Sequence, residues 1–302
     1  MQLNTIRLLI LTCFFLACTY PVLAADPAFE TMWGSYGNDK GQFKYPTGIC
    51  VDPNTGYVYV ADSGNGRIQY FGENGTYIGK WGGNGTENGL FINPQGIAYN
   101  PIGDTIYVVD SGNNRIQYFN SIGKYIGKWG KSGSSEGEFS NPYGIATGHN
   151  LYLFVTDTNN KRVQYFDHTG YFLSEWKGES PSSLTSLRGI AVNITNYNIY
   201  VVDSGINQGE YFSSKGKFLD MYPIQKGITE VAIDPNGYVY HAGTDGYIYY
   251  YTQEGKYIGK WGGPGKGQGQ FNGIGGMVII PFKKTLYVVD TGNSRIQRFH
   301  LP

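Results

Sequence analysis

The chain has 302 residues and equal numbers of basic and acidic side chains, 23 of each, so its formal net charge is zero. This balance leaves no basic surplus to attract a nucleic acid, and we predict that nucleic acid is not a partner. The high counts of glycine (45) and tyrosine (27) suit many tight turns between packed strands. A length of 302 residues ordinarily suggests two domains, but a fixed internal repeat indicates one cooperative body.

The N-terminus has the pattern of a secretory signal peptide. Arg7 supplies a positive charge, a short apolar run follows, and Val22 and Ala24 form a small-residue cleavage site. The apolar run is too short to span a bilayer comfortably. We therefore predict a signal peptide over residues 1–24 and a mature domain over residues 25–302 that is secreted or held at the cell surface.

Two alternatives stay open at this end of the chain. One is an uncleaved membrane anchor, and the other is a lipoprotein, because residues 16–18 imperfectly match a lipobox. No later apolar stretch is long enough to span a membrane, so we predict no span in the mature chain. Cys13 and Cys18 lie within the predicted signal, which leaves Cys50 without a partner for a disulfide. We predict that Cys50 is a small buried hydrophobic residue rather than a reactive thiol.

Six copies of one sequence pattern fill the predicted mature chain. They start near the following residues, the first three copies being clear and the last three degraded: Pro46, Pro94, Pro142, Gly189, Glu230 and Gly276. An aromatic residue marks the period, at intervals of 48 residues for the first three: Trp33, Trp81, Trp129, Trp176, Tyr222 and Trp261. Most recurring residues of such an array serve the fold, so function is sought where copies differ or where loops converge.

Each copy predicts four short strands, called a to d in chain order. In the first full copy they are Gly48–Asp52, Tyr57–Ala61, Arg67–Phe71 and Tyr77–Trp81, which are rich in β-branched and aromatic residues. The turn sequences PNTG and ENGT link a to b and c to d. Six copies of four antiparallel strands predict an all-β fold, a six-bladed β-propeller. A solenoid is the alternative, but it requires polar caps at its ends, which the sequence lacks.

The termini predict how the ring closes. The last copy ends at RIQRFHLP, after its strand c, and lacks a strand d. Near the N-terminus, Phe29–Gly34 matches a strand d and has no a, b or c before it. We therefore predict that an N-terminal strand completes the C-terminal blade, which removes the open sheet edges that invite aggregation.

The repeat resembles the NHL-repeat family. The resemblance rests on P-x-G-I-x-x-D, then Y-V-x-D-S/T-x-N-x-R-I-Q-x-F, then a glycine turn, and it extends from about Phe29 to Phe299. The fourth copy has Gln208 where arginine is expected, and the fifth, YVYHAGTDGYIYY, lacks both the aspartate and the arginine. The resemblance implies a six-bladed propeller that presents one face to a protein, peptide or other polymer ligand.

The connections predict which face carries a ligand site. In propellers of this type, the d–a and b–c connections lie on one face, and the a–b and c–d turns lie on the other. The first d–a connection, GSYGNDKGQFKYPT, is long and polar, whereas the a–b and c–d turns are minimal. Long polar loops are where binding groups normally lie, so we place the ligand site on the d–a/b–c face around the central axis.

Aspartates recur at the end of strand b, and arginines recur at the start of strand c. They are Asp62, Asp110, Asp157, Asp203 and Asp290, with Arg67, Arg115, Arg162 and Arg295. As candidate binding residues of the loop face, they could form a carboxylate ring for acid–base chemistry or for a cation. We favour a structural role, because an arginine that soon follows an aspartate pairs with it across the hairpin. The recurring glutamines of strand c are expected to join the same buried pairing: Gln69, Gln117, Gln164 and Gln297.

Signals for metal chemistry are weak. His241 is the one histidine in a predicted strand, where other copies carry valine or leucine. Amidating lyases use histidines from several blades with a metal, and streptogramin lyases, which resemble these propellers in fold, use acid–base histidines; neither set maps onto this chain. We predict no cofactor, with an axial Ca²⁺ or other divalent ion as the alternative. The tryptophans are expected to pack between blades rather than to stack on a sugar.

Three sequons are candidate glycosylation sites: Asn74, Asn84 and Asn193. Two of them involve glycine turns that the repeat requires anyway. The motif therefore indicates modification only in a host that glycosylates secreted proteins.

The leading functional hypothesis is a secreted or cell-surface, monomeric, non-enzymatic propeller that binds a protein, peptide or polysaccharide through its loop face. The alternative is a metal-dependent lyase or hydrolase with an axial site. RNA binding, known for some NHL proteins, is disfavoured by the neutral charge and the predicted signal peptide. The fourth and fifth copies have unusual d–a connections, KGESPSSLTSLR and PIQKGIT, and we look for specificity there, with tolerated drift as the alternative.

Overall fold

The computed structural model describes residues 26–148, 151–178 and 184–302, and it shows the expected six-bladed β-propeller. Each blade is a four-stranded antiparallel sheet with its strands in the order a, b, c, d, and the a strands of neighbouring blades touch around the axis. The predicted signal peptide lies outside the described residues, so its cleavage and the secretion of the protein stay predictions. The described part of the chain contains no helix with the length and apolar character needed to cross a membrane.

The strand bounds agree with the predicted ones to within one or two residues at each end. Blade 1 consists of β2 (Ile49–Val51), β3 (Val58–Asp62), β4 (Arg67–Phe71) and β5 (Tyr77–Gly82). Blade 2 consists of β6 (Pro94–Asn100), β7 (Thr105–Asp110), β8 (Arg115–Asn120) and β9 (Tyr125–Trp129). Blade 3 consists of β10 (Pro142–Thr147), β11 (Leu153–Asp157), β12 (Arg162–Phe166) and β13 (Phe172–Trp176).

The other three blades follow the same plan. Blade 4 consists of β14 (Leu187–Val192), β15 (Ile199–Asp203), β16 (Gln208–Phe212) and β17 (Phe218–Pro223). Blade 5 consists of β18 (Ile228–Ile233), β19 (Val239–Gly243), β20 (Tyr247–Tyr251) and β21 (Tyr257–Gly262). Blade 6 consists of β22 (Ile274–Ile280), β23 (Thr285–Asp290), β24 (Arg295–His300) and the N-terminal β1 (Ala28–Trp33).

The ring closes as the termini predict. Strand β1 pairs antiparallel with β24, with Phe29 opposite Phe299 and Trp33 opposite Ile296. The innermost strand of blade 1, β2, contacts both β6 of blade 2 and β22 of blade 6. The first and last parts of the described chain therefore share one blade, and opening the ring would expose the edges of that sheet.

Burial falls from the inner strands to the rim. In blade 1, β3 is buried at every position, whereas β5 alternates between half-buried and exposed residues. Neighbouring blades cover both faces of the inner strands but diverge toward the rim, so an outer strand has a solvated side. Burial on both sides of a strand therefore holds for the inner strands only. Cys50 lies in the inner strand β2 and is buried, as predicted.

The recurring tryptophans pack between blades, as predicted. The Trp81 ring of blade 1 lies 5.7 Å from the Phe119 ring of blade 2. It also covers Gly123, where φ is +85° and an added Cβ would lie 2.6 Å from the indole. The same ring pair recurs at 4.9–5.8 Å around the propeller: Trp33–Phe71, Trp129–Phe166, Trp176–Phe212 and Trp261–Phe299. Such a pair stabilises by about 1 kcal/mol beyond the area that it buries.

Candidate ligand site at the axial opening

The recurring aspartate, arginine and glutamine form one buried cluster in blade 1. Arg67 Nε donates to Asp62 Oδ2 at 2.7 Å, and Gln69 Nε2 donates to the same oxygen at 3.0 Å. The other carboxylate oxygen accepts from the Lys44 backbone N–H at 2.7 Å. The Arg67 guanidinium and the Gln69 amide also donate to the backbone carbonyl of Gln42, at 2.9 and 2.7 Å. We call this cluster the loop anchor, because it holds the d–a connection by its backbone.

Three more blades contain the same loop anchor. Their ion pairs each measure 2.7 Å: Asp110–Arg115, Asp157–Arg162 and Asp290–Arg295. Their glutamines donate to these aspartates at 3.0–3.1 Å: Gln117, Gln164 and Gln297. The four aspartate side chains are 0 % exposed. The expected pairing is confirmed, and contact of these residues with a ligand stays a prediction.

Blades 4 and 5 lack the loop anchor. In blade 4, Asp203 accepts from the Thr185 backbone and hydroxyl at 2.6 Å each, with Gln208 at the position of the arginine. In blade 5, strand β19 ends at Gly243 instead of an aspartate. The d–a connections that lead into these two blades are therefore held differently from the others.

A ring of glycines surrounds the axis where the d–a connections enter the inner strands. Five blades carry glycine at the same position of the repeat: Gly48, Gly96, Gly144, Gly189 and Gly276. The neighbouring backbone comes very close here, because a Cβ on Gly48 would lie 2.2 Å from the Gln95 carbonyl oxygen. The equivalent residue of blade 5 is Glu230, so one carboxylate side chain enters this crowded ring.

Blades 3, 4 and 5 place four non-repeating polar residues at this end of the channel: Tyr143, Arg188, Thr229 and Glu230. We call these residues the axial cluster. The Arg188 guanidinium lies over the Tyr143 ring, 4.9 Å from its centroid. Glu230 Oε1 and Arg188 Nε are buried and have no hydrogen-bond partner in the part of the chain that the structure describes.

A cavity of about 70 Å³ lies at the axis. Tyr143, Glu230 and the glycine ring line it, together with Thr47 and Gln95 from blades 1 and 2. Drug-sized ligands occupy pockets of about 300–1,000 Å³. The cavity therefore has room for a few water molecules or one small polar group, and not for a whole substrate of that size.

Burial perturbs the acids of the axial cluster. It raises the pKa of Glu230 to about 8, although a hydrogen bond with the Tyr143 hydroxyl and the nearby Arg188 charge oppose the change. Burial and the Glu230 carboxyl also raise the pKa of Tyr143 well above its usual value. At neutral pH both groups are mainly protonated, so the net charge of the cluster comes from Arg188.

His241 lies one strand farther from the axis, in β19, and it is fully buried. Its Nε2 lies 2.9 Å from the Tyr222 hydroxyl of blade 4, so the residue joins blades 4 and 5. Burial lowers its pKa to about 4, which keeps the imidazole neutral. No three His, Cys, Asp or Glu residues are close enough to hold a metal ion within residues 26–148, 151–178 and 184–302. The single carboxylate and the guanidinium of the axial cluster likewise do not fit a divalent cation.

Sequence reasoning placed the candidate site on this face and in these copies, but it did not single out the axial cluster. The signal that it missed was Glu230, a glutamate at the glycine position of the repeat. Tyr143 and Arg188 precede that glycine in their copies, where any residue type occurs, so no pattern marks them. The sequons differ in exposure, since Asn74 and Asn84 are exposed and Asn193 is buried; glycosylation stays a prediction.

Comparison with known proteins agrees with the architecture. The NHL repeat family matches residues 43–71 and 91–119. The chain carries NHL repeats on a six-bladed propeller. No curated protein sequence matches it.

Several solved structures resemble this chain. One is a candidate gluconolactonase, with a TM-score of 0.64 and 16 % identity over 90 % of this chain and 93 % of that one. Another is a catalytically inactive virginiamycin B lyase from Staphylococcus aureus with quinupristin, with a TM-score of 0.64 and 15 % identity over 92 % and 99 % of the two chains. A structural genomics protein of unknown function from Bacteroides thetaiotaomicron has a TM-score of 0.70 and 14 % identity over 91 % and 76 %. At these identities the likeness shows the fold alone.

Proposed function

We propose that the protein is a secreted or cell-surface binding propeller that recognises its ligand at the axial opening of the d–a/b–c face. The observation that carries the proposal is the axial cluster, in which neighbouring blades bring non-repeating polar side chains to one point. Two of its polar atoms, Glu230 Oε1 and Arg188 Nε, are buried without partners in the described chain. Such atoms are costly unless something satisfies them.

The recurring charged residues of the other blades support this assignment, because they already have partners within the fold. The aspartates and arginines of the loop anchors already hold backbone groups of the d–a connections. The cavity of about 70 Å³ admits only part of a larger molecule, which favours recognition of one group on a partner over enclosure of a substrate. The metal-dependent lyase or hydrolase has no favouring observation, because the described residues provide no donor set for the metal.

The test is a binding screen of the purified protein against peptide and oligosaccharide panels, followed by titration of each hit. Glu230→Gly, which restores the glycine of the other blades, and Arg188→Ala are expected to weaken a genuine ligand at least tenfold. Ile194→Ala is the control, because Ile194 is exposed at the opposite end of the channel. A hit that binds both axial variants as tightly as the wild type would place the site elsewhere.

A further inference from the structure

Arg188 differs from the other arginines of the described chain. Each of the others forms an ion pair with a carboxylate: Arg67, Arg115, Arg162, Arg295 and Arg298. Within residues 26–148, 151–178 and 184–302, Arg188 forms no ion pair, and its Nε is buried without a hydrogen-bond partner. A guanidinium that is partly removed from water is stabilised by a counter-ion. No carboxylate of the described chain lies at ion-pair distance from Arg188, and the nearby Glu230 acts on it only at longer range.

The neighbours of Arg188 orient it. Its guanidinium stacks over the Tyr143 ring at 4.9 Å, and a stacked guanidinium keeps its planar edge free for bidentate contacts. The side chains of Glu230 and Thr229 lie close enough to the Tyr143 hydroxyl to influence its pKa. Tyr143 and Glu230 line a cavity of about 70 Å³, and Arg188 lies next to it through its contact with the Tyr143 ring.

We propose that the axial opening binds a carboxylate group, with Arg188 as its counter-ion and the hydroxyls of Tyr143 and Thr229 beside it. The proposal rests on the function proposed above and names the chemical class that this site takes. An arginine fork matches the two oxygens of a carboxylate in plane. A cavity of the observed size has room for the carboxylate and the carbon that carries it.

The protonation of nearby groups supports an anionic ligand. Burial holds the pKa of Glu230 at about 8, so at pH 7 its carboxyl is mainly neutral. The other titratable groups that face it are Tyr143, which is neutral, and Arg188, which is charged. His241 lies in the neighbouring strand β19, has a pKa of about 4 and is also neutral. A bound carboxylate therefore meets one positive charge and no negative one.

The experiment uses acetate as the probe and acetamide as its uncharged isostere, with the full mature chain at pH 7 and constant ionic strength. We expect acetate to bind with a Kd of about 1 mM in a calorimetric titration, and acetamide to bind at least tenfold more weakly. Arg188→Gln is expected to weaken acetate binding at least tenfold. Arg298→Gln is the matched control, because Arg298 already pairs with Glu30 at 2.7 Å, and acetate affinity should stay within twofold.

Two further variants test the roles of the Glu230 proton and of the planar Arg188 guanidinium. Glu230→Gln keeps a neutral hydrogen-bond donor at the site, so its acetate affinity should stay within threefold of the wild type at pH 7. Above pH 8 the wild type should bind acetate more weakly, and the variant should not. Arg188→Lys keeps the charge without the planar fork and serves if Arg188→Gln does not fold; at least threefold weakening is expected. Equal binding of acetate by wild type and Arg188 variants, or equal affinity for acetate and sulfate, would overturn the carboxylate assignment.

The two proposals fail in different ways. If acetate does not bind but a partner from the screen still depends on Arg188 and Glu230, the carboxylate assignment is wrong and the axial binding site stands. If acetate binds through Arg188 but no partner from the screen depends on Arg188 or Glu230, the axial opening binds a carboxylate but is not the site of partner binding.

Discussion

The d–a connection is held in one way in blades 1, 2, 3 and 6 and in another way in blades 4 and 5. The first group repeats a loop anchor in which buried charges neutralise one another and hold the d–a connection. The second group gives up that anchor, and blade 5 adds a carboxylate at the axis and an imidazole between blades, at positions that carry glycine and valine elsewhere. Both additions have perturbed pKa values, and each has one buried polar atom without a hydrogen-bond partner in the described chain.

The difference between the two groups indicates which blades serve mainly the stability of the fold and which serve its function. A buried ion pair with all its hydrogen bonds keeps a loop in one conformation, although its net contribution to stability is small. A buried acid or base without such a partner lowers stability over part of the pH range. Blades that tolerate this cost are the ones in which a functional role is expected. Six substitutions test this difference between the two groups of blades.

The largest effect is expected from breaking one loop anchor. Asp110→Ala leaves Arg115 buried without its partner at 2.7 Å, which should lower the free energy of unfolding by about 3–5 kcal/mol. The matched variant in blade 4 is Asp203→Ala, which removes hydrogen bonds to Thr185 and Ser186 but leaves no arginine behind, and about 1–3 kcal/mol is expected. Urea unfolding measures both. Equal losses would contradict the proposed difference between the two groups of blades.

Glu230→Gln should stabilise the protein, and increasingly so at higher pH. The pKa of Glu230 is raised from 4.5 to about 8 by burial. Below pH 4.5 the folded and unfolded chains both hold the proton, so the acid costs nothing. Between pH 4.5 and 8 the unfolded chain releases the proton first, and the wild type loses stability until about pH 8. The variant lacks this loss, so its advantage should grow by about 4 kcal/mol between pH 5 and 9, measured by unfolding across that range.

The opposite pH dependence is expected for His241→Val, which restores the residue of the other blades. Burial lowers the pKa of His241 from 6.5 to about 4, so the unfolded chain takes up the proton first as the pH falls. The wild type therefore loses stability between pH 6.5 and 4, and the variant should not lose this contribution. We expect a pH-dependent difference of about 3 kcal/mol, besides a constant cost for the Tyr222 hydroxyl. A difference that stays constant from pH 7 to 4 would contradict the lowered pKa, because the imidazole would then take up its proton over the same pH range in the folded and unfolded chains.

The smallest effect is expected at Tyr45, in a regular blade. Its φ is +46°, a left-handed conformation that Asn93 and Asn141 adopt at the same position of the next two copies. Asparagine tolerates this region better than tyrosine. Tyr45→Asn should therefore raise the free energy of unfolding by about 0.5–1 kcal/mol, whereas Asn93→Tyr should lower it by a similar amount. A loss of stability with Tyr45→Asn would mean that the exposed ring contact with Tyr36 outweighs the backbone strain.

Most of the architecture was predictable because each copy repeats the same local signals. The turn sequences and the alternation of apolar residues predict the strands, and the missing strand d of the last copy predicts its pairing with Phe29 and Trp33. The pairing of Asp62, Arg67 and Gln69 was predictable for the same reason, since the spacing recurs unchanged. The burial of each strand was harder to predict from the sequence, because the rim strands are covered on one side only.

The sequence by itself determined the number of blades, the closure of the ring and the structural use of the repeated charges, because these depend on contacts within a copy or between equivalent residues of adjacent copies. Only the tertiary structure decided that Tyr143, Arg188 and Glu230 form one cluster. They come from three blades and are distant in sequence, and their residue types do not recur at the equivalent positions of the other copies. They meet because the inner strands converge at the axis, where the glycine ring lets the backbones approach closely enough for one glutamate to face residues from other blades.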